Sequence, residues 1–334
     1  MNATMRAVIA HQPGGPDVLQ QVQRPVPQPG PGEVLIRVLF AGVNRPDILQ
    51  RTGQPVPPGV TDVLGLEAAG IVTAAGEGVE SLTAGMPVMA LLNGGGYAQY
   101  CLARADLCLT VPENLSLAQA AGVPEAAFTV WHNLFELGRL RSGETVLIHG
   151  AASGVGTFAI QWAQAHGARV IATAGGKDKI AALQRLGVWR AIDRHSEDFV
   201  VVIAEETRGR GVDVVLDNVG GDYVARNLSV LATGGRHVSL SFMRGAKIEL
   251  DLQQVMRSGL ILTSSTLRPQ SATEKARLAQ CLRTHLLPLL AASKITPTIH
   301  HILPLAAAAE AHRILEANAN IGKVLLQVAP EEIV

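Results

Sequence analysis

Several function classes fall away on what this sequence lacks. Neither sign of charge is in excess: Lys and Arg number 28, and so do Asp and Glu. That balance, with aromatic residues at only 4%, argues against a nucleic-acid surface or an anionic-membrane surface. The longest apolar runs, such as VLLQVA, fall far short of the roughly 20 residues that span a bilayer. The opening MNATMRAVIAHQ has no long apolar core, so no secretory leader is expected. Cys101, Cys108 and Cys281 are the only cysteines. An odd, sparse count without metal-type spacing fits reduced thiols in a cytoplasmic protein. Internal repeats and low-complexity tracts are missing. The ten histidines are scattered; His300 and His301 share a strand pattern, point to opposite faces, and read as surface or packed side chains.

What is present is length and apolar content. The chain has 334 residues, 48% of them hydrophobic and 17% charged, enough for about two domains with substantial cores. Residues 1–125 hold most of the prolines and many glycines. Between them lie short strand patterns: RAVIAHQ, EVLIRVLFAG, AAGIVTAAG, MPVMALL and YAQYCLA. That texture predicts a compact β barrel or sandwich. Residues 126–267 alternate apolar runs with helical patterns. TVLIH precedes a helix near 154–166, RVIATA another near 177–186, and RAID, VDVVLDNV, GRHVSLS and LILTSS follow. Such alternation predicts an α/β unit with a doubly wound parallel sheet. Residues 268–334 read as helices near 272–292 and 306–317, then the strand KVLLQV. This last strand is expected to return to the first domain, so 1–125 and 268–334 form one domain and 126–267 the other.

LIHGAASGVGTF (147–158) lies between a strand and a helix, where a dinucleotide-binding turn belongs. The three positions of the G-x-G-x-x-G pattern are Ala151, Ser153 and Gly156. The first two need only be small enough for the backbone to approach a pyrophosphate, and the Ser153 hydroxyl can also donate to it. Gly156 permits close helix–strand packing. The helix N-terminus adds free N–H groups and a positive dipole end. The alternative is a plain strand–turn–helix with small packing residues. About 20 residues on, an NAD site carries an acidic residue for the ribose 2′-hydroxyl. Here ATAGGKDK puts Ala174 and Gly175 at that spot, with Lys177 and Lys179 next and Arg194 ending the following strand. Small residues and cations suit a 2′-phosphate, so NADPH is the expected cofactor; the bland alternative is a solvated helix start.

Six segments carry a resemblance over nearly the whole chain: AGVNRPDILQRTG (41–53), LGLEAAGIV (64–72), MALLNGGGYAQY (89–100), LSLAQAAGVPEAAFTVWHNL (115–134), VLIHGAASGVGTFAIQ (146–161) and EANANIGKVLL (316–326). Together they resemble the zinc-free quinone oxidoreductases, the zeta-crystallin-like branch of the medium-chain dehydrogenase/reductase superfamily. The resemblance implies a GroES-like β-barrel catalytic domain and a Rossmann cofactor domain, with the nicotinamide between them. It implies that Asn44 and Thr129 approach the nicotinamide, that Ser153, Gly154 and Val155 form the pyrophosphate turn, and that Gly175 and Lys179 form the 2′-phosphate pocket. Arg194 stands where relatives often have tyrosine. Asn218, Met243 and Leu267 follow three successive strands, and Asn320 and Lys323 resemble a pair that closes over the cofactor. The bland readings are that Asn218 caps a helix and Asn320 makes a turn.

Zinc-dependent relatives carry Cys and His where Asn44 and Leu66 stand here, and the four-cysteine lobe is missing. A zinc site needs three or four ligands, so no metal is expected. A tyrosine that several relatives carry after the QRTGQ segment is absent as well. The expectation is therefore hydride transfer from NADPH to a quinone or another electron-poor acceptor, with no dedicated catalytic acid and water as the proton source. Glu67 is read as structural, paired with Arg45. The alternatives are reduction of the C=C bond of enals or enones, and a non-catalytic relative that binds NADPH or RNA. A homodimer paired along LILTSSTL (260–267) is expected, because an apolar edge strand invites pairing.

Overall fold

The computed structural model describes residues 3–57 and 59–330. The chain divides into two compact units: Thr129–Leu267, and Met1–Phe128 together with Arg268–Val334.

In Thr129–Leu267, six strands form one sheet in the order Arg190–Asp193, Arg169–Ala174, Thr145–Ile148, Val212–Asp217, Leu231–Ser239, Ile261–Ser264. Every pair is parallel. The central strands are apolar without alternation because both faces are covered: all four residues of Thr145–Ile148 and all six of Val212–Asp217 are buried. Counted along the chain, the strands run 3-2-1-4-5-6. The order reverses between Thr145–Ile148 and Val212–Asp217, and ligands of such sheets bind at the carboxyl ends flanking that point. The outer strand Ile261–Ser264 is an edge, with Ile261 and Leu262 exposed. The preceding helix Leu252–Ser258 also turns Leu252 and Met256 outward.

In the other unit, a seven-stranded sheet runs Ile299–Pro304, Lys323–Gln327, Glu33–Val43, Glu67–Ala75, Pro87–Leu91, Cys108–Thr110, with Tyr100–Arg104 also paired to Glu33–Val43. Thr4–Ala10 and Leu19–Pro25 make a two-stranded ribbon. The core is built of small and branched apolar side chains, among them Val34, Ile36, Val38, Val88, Val324 and Leu326. Lys323–Gln327 does return to this sheet, antiparallel to Glu33–Val43, with Val324 opposite Val43. That register fixes two long-range neighbours. Lys323 lands beside Asn44, and Glu67, one residue before the Ala68–Ala41 pair, lands opposite Gly42.

The three cysteines are free thiols; Cys101 and Cys108 are buried, and burial pushes both thiols up. Among the described residues no helix is long and apolar enough to cross a membrane.

Candidate active site

The turn between Thr145–Ile148 and the helix Gly154–Ala165 is held from below. Ala151 N donates to Thr173 O at 3.0 Å, tying the turn to the neighbouring strand. Ser153 is the N-cap of the helix Gly154–Ala165; its Oγ accepts from Gly156 N at 3.0 Å, and its carbonyl accepts from Thr157 N. The N–H groups of Gly154 and Val155, at the very start of the helix, have no carbonyl one turn earlier to bond and are the ones an anion can take. A Cβ at Gly156 would lie 2.6 Å from Ala151 O, so no larger residue fits there. Gly150 has φ 58°, and a Cβ there would lie 2.4 Å from Asn218 Nδ2. The Gly150 backbone and Asn218 thus meet at the point where the strand order reverses.

Beneath the turn lies a buried polar network. Burial holds His149 down to about 4, so it is neutral at pH 7. Its Nε2–H donates to Asn227 Oδ1 at 2.7 Å and its Nδ1 accepts from Thr173 Oγ1 at 2.8 Å. Asn227 Nδ2 then donates to Asp217 Oδ2 at 3.2 Å. Burial works against the Asp217 carboxylate, but hydrogen bonds from His237 and Val219 N bring it below the ordinary range. One strand end, one helix and the turn at Asn218 are fixed together, which is the rigidity a phosphate cradle needs.

Beside the turn, Gly175 ends its strand with no side chain. A Cβ there would lie 2.5 Å from His195 Nε2 and 2.7 Å from Arg194 Nε, so both side chains reach over this glycine. Burial and the Arg194 guanidinium together pull Lys179 below its ordinary value, placing two cations close to each other. Asp193 faces the backbone instead: its Oδ1 accepts from Gly176 N and His195 N. An adjoining cavity of about 250 Å³ is lined by Thr173, Arg194, His195, Phe199, Tyr223 and Arg226. The sequence alone does not single out His195, although it directly follows Arg194. Thr129 accepts from Asn133 Nδ2 through its carbonyl. Met243 is exposed beyond Leu231–Ser239, and Leu267 is half-buried beyond Ile261–Ser264.

In the other unit, Asn44, Glu67 and Lys323 form one buried cluster. Lys323 Nζ donates to Asn44 Oδ1 at 2.7 Å and to Glu67 Oε1. Asn44 Nδ2 donates to Glu67 Oε1 at 2.8 Å, and Glu125 N donates to Glu67 Oε2 at 2.8 Å. Because Lys323 can only donate, the orientation of the Asn44 amide is fixed. The expected Glu67–Arg45 pair does not form. Arg45 instead donates to Leu315 O and Asn318 Oδ1, because the strand register delivers Lys323, not Arg45, to Glu67. Asn320 Nδ2 donates to Gly322 O at 2.7 Å, a local turn contact.

A second chain of bonds positions Asn44. Arg51 can only donate, so His312 Nδ1 accepts from it at 3.2 Å and Nε2–H faces Tyr97 Oη at 3.3 Å. Burial, then Arg51, pushes His312 down to about 3. Tyr97 Oη donates to Asp47 Oδ2 at 3.2 Å, and the same carboxylate accepts from Asn44 N at 2.8 Å and, through Oδ1, from Gly65 N at 3.1 Å.

A doubly wound unit carrying a phosphate turn, joined in one chain to a β-rich unit with a buried polar cluster, defines a dinucleotide-dependent dehydrogenase or reductase architecture. Residues 30–113 match the Alcohol dehydrogenase GroES-like domain family, and residues 154–282 match the Zinc-binding dehydrogenase family. Quinone oxidoreductase 1 of Escherichia coli is 33% identical over 319 residues, covering 95% of this chain and 97% of that protein. A mycocerosic acid synthase-like polyketide synthase of Mycobacterium tuberculosis is 34% identical over 305 residues, which is 90% of this chain. The chain spans only 14% of that synthase's length. Among solved structures, Escherichia coli quinone oxidoreductase complexed with NADPH has a TM-score of 0.86 at 34% identity, over 98% of this chain and 100% of that one. JamJ enoyl reductase has a TM-score of 0.87 at 29% identity, over 98% and 100%. The chain belongs to the medium-chain dehydrogenase/reductase superfamily, in the branch that includes the quinone oxidoreductases.

The Glu67 cluster makes a stability prediction. All three of its partners donate, so Glu67→Gln turns an NH₂ group toward one donor and leaves the Lys323 ammonium buried without its counter-charge. Breaking a buried pair in this way costs about 3–5 kcal/mol. Urea unfolding should register that loss, and adding Lys323→Met to the same chain should recover a large part of it. A Glu67→Gln midpoint unchanged from wild type would mean that the pair does not hold the unit together.

Proposed function

We propose that the protein is an NADPH-dependent, zinc-independent oxidoreductase that reduces quinones or similar electron-poor small molecules in the cytoplasm. The observation that carries this reading is the Gly175 corner: the strand ends there with no acidic side chain, Arg194 and His195 reach over Gly175, Lys179 is near enough to feel Arg194, and the Asp193 carboxylate is taken up by the Gly176 and His195 amides. The related Escherichia coli enzyme was solved with NADPH, which supports the same cofactor. Gly154 and Val155 would take the pyrophosphate, Lys179 and Arg194 the 2′-phosphate, and the cavity beside Phe199 and Tyr223 the adenosine end. Asn218, Met243 and Leu267 follow the strands past the switch point; Thr129, Asn44, Asn320 and Lys323 are the proposed nicotinamide-side residues. When bound, NADPH supplies the hydride. A second reading, reduction of a C=C bond conjugated to a carbonyl, is favoured by the likeness to an enoyl reductase and needs the same donor.

A zinc ion does not fit the residues at the Asn44 and Leu66 positions. Leu66 is an apolar side chain at 2% exposure, and the Asn44 amide and Glu67 carboxylate are already engaged by the Lys323 ammonium. A cation in that place is already supplied by the chain, and a second would meet its repulsion. Elemental analysis of protein purified without added metal should find no stoichiometric zinc; zinc lost together with turnover on chelation would overturn this.

NADPH oxidation measured against a panel of quinones and small enones tests the activity itself. Lys179→Ala should weaken NADPH binding by about 10- to 100-fold, the worth of one charge-assisted contact, and leave NADH nearly unchanged. Equal losses for both cofactors would remove Lys179 from the phosphate pocket.

The exposed edge strand Ile261–Ser264 is the proposed contact with a second copy, strand against strand. Light scattering at micromolar concentration should give twice the chain mass. A monomer mass would contradict it.

A further inference from the structure

We propose that Glu125, a residue outside the cofactor set, is the proton donor of the reaction. The proposal rests on the oxidoreductase reading above. Glu125 is the second residue of the helix Pro124–Val130. Its backbone N–H is bonded to Glu67 Oε2, which fixes it at the edge of the Asn44–Glu67–Lys323 cluster. Among the described residues its carboxyl takes up no hydrogen bond, and the residue lies deep yet keeps some exposure, so the group is uncommitted.

The charged groups around it hold its proton. Burial, then the Glu67 carboxylate, pushes Glu125 up to about 8, with Asp47 adding to the rise and Lys323 and Lys275 opposing it. Lys275 is itself fixed on Asn93 Oδ1 and Arg268 O, and Arg268 stands near enough to feel Glu125. Like charges at Glu67 and Asp47 therefore favour the neutral acid, and the two lysines keep it from being too weak to release its proton. A folded-state value near 8 against an ordinary value near 4.5 means that the acid form persists through neutral pH and is lost as pH rises through about 8. A donor poised near the working pH is what general acid catalysis requires.

The step balances without a further reagent. A hydride supplied by bound NADPH would bring two electrons and one proton to the acceptor and leave a negative oxygen on it. The O–H bond of Glu125 breaks, an O–H bond forms on that oxygen, and the Glu125 carboxylate is reprotonated by solvent. Glu67 cannot take this part, because Lys323, Asn44 and the Glu125 amide already occupy its oxygens.

The test uses Glu125→Gln and Glu125→Asp in the full chain. Glu125→Gln should lower kcat by about 10²–10³-fold, leave NADPH affinity by calorimetry within about twofold, and lose the basic limb of the pH–rate profile. Glu125→Asp should restore part of kcat together with that limb. Infrared difference spectra of the cofactor-free protein should show a carboxylic acid band that disappears near pH 8 in wild type and is missing in Glu125→Gln. A Glu125→Gln enzyme with the wild-type rate and an unchanged basic limb would overturn the proposal alone, as would the absence of that band from wild type. Wild type without turnover on any acceptor would overturn the oxidoreductase reading and this proposal with it.

Discussion

One buried carboxylate governs the β-rich unit. Glu67 sits at no measurable exposure and would be untenable there unless its charge and lone pairs were met. Three segments far apart in sequence meet it: Asn44 after one strand, Lys323 at the start of the last strand, and Glu125 at the start of a helix. The space it needs comes from an absence. A Cβ at Gly42 would lie 2.0 Å from Glu67 Oε1, so only glycine can stand opposite it. Each of these groups is then tied to Glu67: Asn44 through its amide, Lys323 as its counter-charge, and Glu125 through a proton affinity raised first by burial and then by the Glu67 charge.

The same constraint explains why the last strand belongs to the first part of the chain. A buried ion pair adds little net stability over an apolar one, because desolvation offsets the attraction. Its worth lies in register. Slipping Lys323–Gln327 by one residue would turn Lys323 away from Glu67 and strand both charges, so the polar pair selects the pairing that the apolar Val324 and Leu326 alone would not specify. The parallel sheet of the other unit solves its register differently, with unbroken apolar strands and a neutral His149–Asn227 link to Asp217 that ties the phosphate turn to what lies beneath it.

What could be read from the sequence follows from range. The strand–turn–helix at 145–165 was legible because its three parts are contiguous, with Gly156 where a Cβ would meet Ala151 O. The parallel sheet and the return of the last strand were legible from apolar periodicity. Pairing between charged residues was not. Glu67 and Lys323 stand 256 positions apart, and sequence alone favoured Arg45, nearer in sequence, as the partner. His195 and Glu125 escape notice for a related reason: neither carries a motif, and what singles them out is the company each keeps after folding.

That company separates three carboxylates that look alike on paper. Asp47 accepts from Asn44 N, Gly65 N and Tyr97 Oη, and burial still lifts it only to about 6. Glu67 is filled by Lys323, Asn44 and an amide. Glu125 has no such donors on its carboxyl, shares the neighbourhood of both, and rises to about 8. With Asp47 bound into a cap and Glu67 bound into an ion pair, Glu125 is the one of the three whose carboxyl has no structural duty. Environments that drive neighbouring acids apart in this way are how a fold assigns different tasks to the same chemical group. Here they assign two acids to architecture and leave one for chemistry.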